Sequence, residues 1–189
     1  MRDIVITLLV FGSLPYIFKR PWFGVVMWIW ISVMNPHRLS YGFAYSFPFA
    51  AVIAAVTIIG LVITKDDKRM PKSASVWVIV AFTLHMGITT MTAFFPNTSL
   101  DLYIRIVKTM LMVLVMMMLV KTRKQILIVT STLVGSLAYY GTKGGLFTVL
   151  TGGNSIVWGP EGSYIEGNNE VALAFITIIP MMYFLFLVA

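Results

Sequence analysis

The chain has no cysteine, two histidines and seven acidic residues among 189. The missing thiols exclude a disulfide framework and any thiolate metal site. His37 and His85 alone are too few for a zinc or iron site built on imidazole. Charge is scarce altogether: 11% of residues are charged and 59% hydrophobic, with a mean hydropathy of +0.90. A soluble domain of this length cannot bury so much apolar surface, so the composition points to lipid as the solvent for most of it. P-loop, nucleophile-elbow and HExxH patterns are absent too, and neither a cofactor nor a metal is expected.

What is present is a series of apolar stretches. Seven can be read, at about 4–18, 21–34, 47–64, 75–95, 102–120, 126–141 and 170–189. A span needs about 20 residues, and the first two segments are short. Joining those two as a re-entrant hairpin would put Lys19 and Arg20 in hydrocarbon, at about 2.5–3.5 kcal/mol per charge. Two thin spans cost less. The start, Met1-Arg2-Asp3 before an apolar run, has the outline of a signal peptide. It lacks a small-residue cleavage site and ends at Pro15-Tyr16 and Lys19-Arg20, so it reads as a retained helix. The sequence predicts an all-α, polytopic transmembrane bundle of about seven helices in one domain, 1–189.

The cations give that bundle a direction. Lys19, Arg20, Lys65, Lys68, Arg69, Lys72, Lys121, Arg123 and Lys124 follow the first, third and fifth segments. Arg2, Arg38, Arg105, Lys108 and Lys143 fall on the other side, offset by Asp3, Asp101, Glu161, Glu166 and Glu170. The positive-inside rule then puts the N-terminus outside. The net charge of +7 sits wholly on the cytoplasmic side, which makes it a topology signal and removes the nucleic-acid reading. The chain stops at Ala189 within an apolar helix with no polar tail, so it is expected to be the N-terminal part of a longer membrane protein.

The stretch 141–170, GTKGGLFTVLTGGNSIVWGPEGSYIEGNNE, breaks the apolar pattern with eight glycines. A loop of this length and polarity is functional or disordered. Phe147, Trp158 and Tyr164 give it surface to bury, so it is expected to be an ordered outer loop contributing to a polar site.

Other polar residues have two readings each. Asn168-Asn169-Glu170 is either a helix cap with a dipole-matched acid or a set of groups facing a ligand. Asp101, Arg105 and Lys108 fall at i, i+4 and i+7 on one helix face. They are snorkelling cations or a wall for a phosphate, and Lys108 would lie about 9 Å deeper than Leu102. His85, beside Thr83, Thr89 and Thr90, reads as an interhelical contact, since no acid lies at its depth. In Asn35–Ala50, Phe43, Tyr45, Phe47 and Phe49 alternate, so an extended chain would show one aromatic face, an interfacial anchor with Arg38 beside it. Asn97-Thr98-Ser99 reads as a turn and cap before the fifth helix.

The opening MRDIVITLLVFGSLPYIFKRPWFGVVMWIWISVMNPHRLSYGFAYSFPFA, the YYGTKGGLFTVLTGG run and GSYIEGNNEVALAF resemble the N-terminal region of the bacterial O-glycosylation ligases associated with exosortase A systems. These lie within the O-antigen ligase and polymerase family. NPHRL and the KGG-to-GNNE loop carry the most specific likeness. The broader family often has Asn-Pro-Asn where this chain has Gly167-Asn168-Asn169. The resemblance implies a multi-pass inner-membrane glycosyltransferase. It would move a glycan from a polyprenyl-pyrophosphate carrier to a protein or polysaccharide acceptor on the periplasmic side. It also implies that the general base lies beyond Ala189. Arg38, Arg105, Lys108 and Lys143 are the cations available to a leaving pyrophosphate, with Glu166, Asn168 and Asn169 as further substrate-binding candidates. A lipid-glycan flippase or a non-catalytic membrane subunit are the competing readings.

Overall fold

Proline and one left-handed asparagine punctuate the first third of the chain. The computed structural model describes residues 2–64 and 68–188. Lys65, Asp66 and Asp67 of the expected cytoplasmic loop, with Met1 and Ala189, lie outside these. Helix α1 (Arg2–Lys19) ends at Arg20, and Pro21, whose ring presets a helical φ, opens α2 (Pro21–Ile29). The helix then widens into a π-helical turn, Trp30–Met34, and stops where Asn35 turns left-handed at φ 46°. A 3-10 turn (Pro36–Leu39), a one-turn α3 (Phe43–Ser46) and α4 (Phe49–Ile63) follow. The aromatic run is therefore not extended as its alternation suggests. Phe43–Ser46 coils, and Phe47 gathers Phe11, Phe43 and Phe49 around it at ring separations of 4.7–5.9 Å.

After α5 (Ala74–Met91) and α6 (Pro96–Leu119) come α7 (Arg123–Leu150) and α8 (Asn168–Val188). Each of the seven apolar stretches is thus helical, and among the described residues there is no strand. Among the described residues three helices, α5, α6 and α8, are long and apolar enough to cross a membrane. Pro96 starts α6, so Asn97-Thr98-Ser99 lies inside its first turn rather than before it. Thr122 starts α7 through a capping box: its hydroxyl accepts from Gln125 N–H, and its own N–H donates to the Gln125 side chain at 3.0 Å.

The chain divides into two units, residues 1–64 with 122–189, and residues 65–121. In the first, Ile6, Val10, Ile17, Met27, Ile31, Ala44, Phe49 and Ile53 form one buried cluster. Small residues let its helices meet closely, as apolar helices in lipid require. A Cβ on Gly24 would run into the Thr57 hydroxyl, and one on Gly60 would sit 3.3 Å from the Ile17 carbonyl. A second cluster joins Val134, Leu137 and Ile178, flanked by Val33 and Ile165. In the other unit α5 packs on α6, with the Tyr103 hydroxyl over Gly87. Thr83, Thr89 and Thr90 donate to carbonyls of their own helix, and His85 is exposed on α5.

Candidate anion-binding site

The glycine-rich stretch is only partly a loop. Residues 141–150 continue α7, and the irregular connection runs from 151 to 167. Glycine in a helix costs up to about 1 kcal/mol against alanine, but Gly144 is buried there because Val157 folds back onto it. Gly152 and Gly153, with positive φ, end the helix, and Gly153 N–H closes on the Thr148 carbonyl at 2.9 Å.

The rest of the connection folds on itself. Pro160, Glu161, Gly162 and Ser163 make a turn in which Ser163 N–H donates to the Pro160 carbonyl at 3.2 Å. Gly162 occupies its third position at φ 70°, which the type II turn reserves for glycine. Two bonds brace the turn. Gly159 N–H donates to the Glu166 carbonyl, and Gly162 N–H donates to Glu166 Oε2, both at 2.8 Å. The chains at 159 and 165 pass so closely that a Cβ on Gly159 would meet the Ile165 carbonyl. Ile165 itself joins the Val134–Leu137–Ile178 cluster, which ties the turn to α7 and α8.

Arg38 lies against this turn. Its Cζ is 4.8 Å from the centroid of the Tyr45 ring, and its Cζ and Nη2 lie 3.4 Å from the place a Cβ would take on Gly162. The 3-10 turn that carries Arg38 is pinned at both ends. Tyr140 Oη donates to the Met34 carbonyl at 2.6 Å, satisfying one acceptor that the helix end leaves open, and Ser40 Oγ donates to the His37 carbonyl at 2.6 Å. Among the described residues no acid pairs with Arg38, and the Glu166 carboxylate accepts from the Gly162 amide of the same turn. A partly buried guanidinium, lying over a ring and beside the Gly162 backbone, is a donor fork suited to a phosphate or carboxylate.

His37, the neighbour of Arg38, is buried edge-on to Phe49, and its Nδ1 has no hydrogen-bond partner among the described residues. Burial lowers its pKa below the ordinary value, and the charge of Arg38 lowers it further.

A family model described as a family of unknown function, DUF5935, matches residues 1–188. The chain belongs to that family. No curated protein and no solved structure matches it.

Of the residues singled out in this DUF5935 chain by sequence, the structure brings Arg38 and Glu166 to one turn. Lys143 stands exposed on α7, beside Gly144. Asn168 and Asn169 are exposed in the first turn of α8. The cap there is Gly167, whose carbonyl accepts from Val171 N–H at 3.0 Å, with the Glu170 carboxylate folded against its Cα. The asparagines are therefore not the cap. Arg105 and Lys108 are exposed on α6, in the unit of residues 65–121. Sequence reading set Arg38 beside the ring series that holds Tyr45 and missed Gly162 as its partner. The proline-to-glycine spacing of the turn was the available signal for Gly162. Among the described residues no group of three or more His, Asp or Glu side chains is placed to hold a metal ion.

Proposed function

We propose that this chain is part of a membrane glycosyltransferase of the O-antigen ligase type, transferring a glycan from a polyprenyl-pyrophosphate carrier to an acceptor on the periplasmic side. In this reading the seven apolar helical segments belong to an inner-membrane bundle with the N-terminus outside, as the cation distribution favours. The observation that carries it is the Arg38 guanidinium, laid between Tyr45 and the Gly162 turn with its fork free of acidic partners among the described residues. Departure of the carrier builds negative charge on pyrophosphate. A fixed fork of donors stabilises that charge more than it stabilises the resting substrate. The apolar helices supply the surface along which a polyprenyl tail reaches the site.

The test is glycan transfer by the full-length enzyme carrying Arg38→Gln, with membrane insertion checked in parallel. Charge-assisted hydrogen bonds are worth about 1.5–3 kcal/mol, so transfer should fall roughly 10- to 150-fold. Transfer within about threefold of wild type, at normal insertion, would refute the assignment of Arg38.

A further inference from the structure

Arg38 reaches the Gly162 turn from a backbone joint just upstream of it. The π-helical turn Trp30–Met34 ends at Asn35, whose φ is 46°. Such π turns are rare and are found mostly at functional sites. Two side chains fix the joint. Tyr140, buried on α7 at 7% exposure, donates its hydroxyl to the Met34 carbonyl at 2.6 Å. Asn35 Nδ2 donates to the Ser32 carbonyl at 2.9 Å, and the Asn35 carbonyl accepts from Arg38 N–H at 3.0 Å. One hydrogen bond thus links Arg38 to the left-handed residue, and one peptide links that residue to the carbonyl held by Tyr140.

A buried tyrosine between two helices is most simply a tether. Here its hydroxyl is spent on a main-chain carbonyl at the very break that leads to Arg38. The helix that carries it, α7, also runs into the connection of residues 151–167 that forms the Gly162 turn. One element therefore holds the joint behind Arg38 and leads to the turn in front of it. A small rotation at Met34 and Asn35 would swing the guanidinium, at the end of a long side chain, off the Tyr45 ring. We propose that Tyr140 and Asn35 are positioning residues for Arg38, which together lock this joint and hold the guanidinium over Tyr45 for an incoming diphosphate. The last step rests on the reading of Arg38 as an anion site; the aiming of the guanidinium does not.

The experiment reads the two halves separately, by NMR and by binding of farnesyl diphosphate, a short polyprenyl diphosphate, to the 189-residue chain in nanodiscs. The Arg38 Nε–H signal is assigned by its loss in Arg38→Gln, and Tyr45→Leu gives its position without the shielding ring. Tyr140→Phe removes only the hydroxyl and should move the signal most of the way to that unshielded position. It should also weaken farnesyl diphosphate binding roughly 2- to 12-fold, the worth of one neutral hydrogen bond. Added to Arg38→Gln, it should cost nothing more, because it acts through Arg38. Asn35→Gly keeps the left-handed backbone and should keep the shielded signal, while Asn35→Ala disfavours that backbone and should lose it. A wild-type signal in Tyr140→Phe would overturn the proposal, and so would the same loss of binding with and without Arg38. Where Tyr140→Phe does not insert, the Asn35 pair decides, and identical signals in its two variants would overturn the proposal. Unchanged binding in Arg38→Gln would remove the diphosphate from the account, and the NMR signal alone would then decide whether the joint aims Arg38.

Discussion

Arg38 and Lys108 are both cations in an apolar chain, and they stand on opposite kinds of backbone. Lys108 projects from the regular helix α6, where each interior amide is bonded to the carbonyl four residues back. Such a backbone has nothing to add to a ligand, and the side chain acts alone. Arg38 stands where regular structure lapses, after a π-helical turn and a left-handed Asn35, against a turn whose own amides are bonded within it. There a guanidinium, an aromatic ring and a glycine backbone converge. The difference teaches that depth in an apolar helix is a weaker sign of an anion site than a break in the helix that gathers several groups. The Gly162 turn is fixed by contacts that would be lost one at a time, which makes the comparison testable.

The largest effect is expected at Gly159. Valine there would drive its side chain into the Ile165 carbonyl and part the chains that Glu166 bridges. Overpacking against backbone costs about 1–3 kcal/mol, so the 151–167 connection should become the first site of proteolysis. A variant as resistant as wild type would show that the close crossing is not what holds the turn. A smaller change is expected at Glu166. Glu166→Ala removes the acceptor for Gly162 N–H, a bond worth about 0.5–1.5 kcal/mol, and should speed exchange of that amide by roughly 2- to 12-fold. Glu166→Gln keeps an acceptor in place and should stay near wild type. Equal acceleration in both variants would mean that the charge, not the hydrogen bond, does the bracing.

The effect of His37 is the gentlest and has a definite sign. Its pKa in the folded chain is lowered from 6.5, first by burial and then by Arg38. The unfolded chain takes up the proton near the ordinary value while the folded site still refuses it. Stability therefore falls as pH drops through about 6.5, by at most about 1.4 kcal/mol per unit, until the folded-state pKa is passed. Thermal unfolding should show a lower Tm at pH 5.5 than at pH 7.5, and His37→Gln should flatten that slope. An unchanged slope in the variant would assign the pH dependence to other groups.

The helical plan was legible because its cause is local. Apolar runs bounded by Pro21, Pro96 and the Lys121–Lys124 cluster marked the helices, five of them to within about four residues at each end. Helix α6 starts at Pro96 rather than 102, and α7 runs to Leu150 rather than 141. The Gly141–Leu150 segment was misread as loop, since glycine content says loop while the packing of Gly144 on Val157 says helix. That packing is invisible until the later connection folds back. The aromatic alternation of 43–49 suggested an extended chain, and burial of Phe49 and Ala44 in the first cluster curled it instead. Arg38 was recognisable as a cation beside rings. Its meeting with Gly162 joins residues far apart in sequence through the Ile165 and Tyr140 contacts, and no local pattern encodes that.

The most direct measurement is binding of farnesyl diphosphate, a short polyprenyl diphosphate, to the chain in nanodiscs, comparing wild type with Arg38→Gln and Lys108→Gln. The account predicts at least about tenfold weaker binding for Arg38→Gln, the loss of charge-assisted bonds from a held guanidinium. It predicts less than about threefold change for Lys108→Gln, the range of an exposed charge. Equal losses in the two variants, or a loss confined to Lys108→Gln, would contradict it.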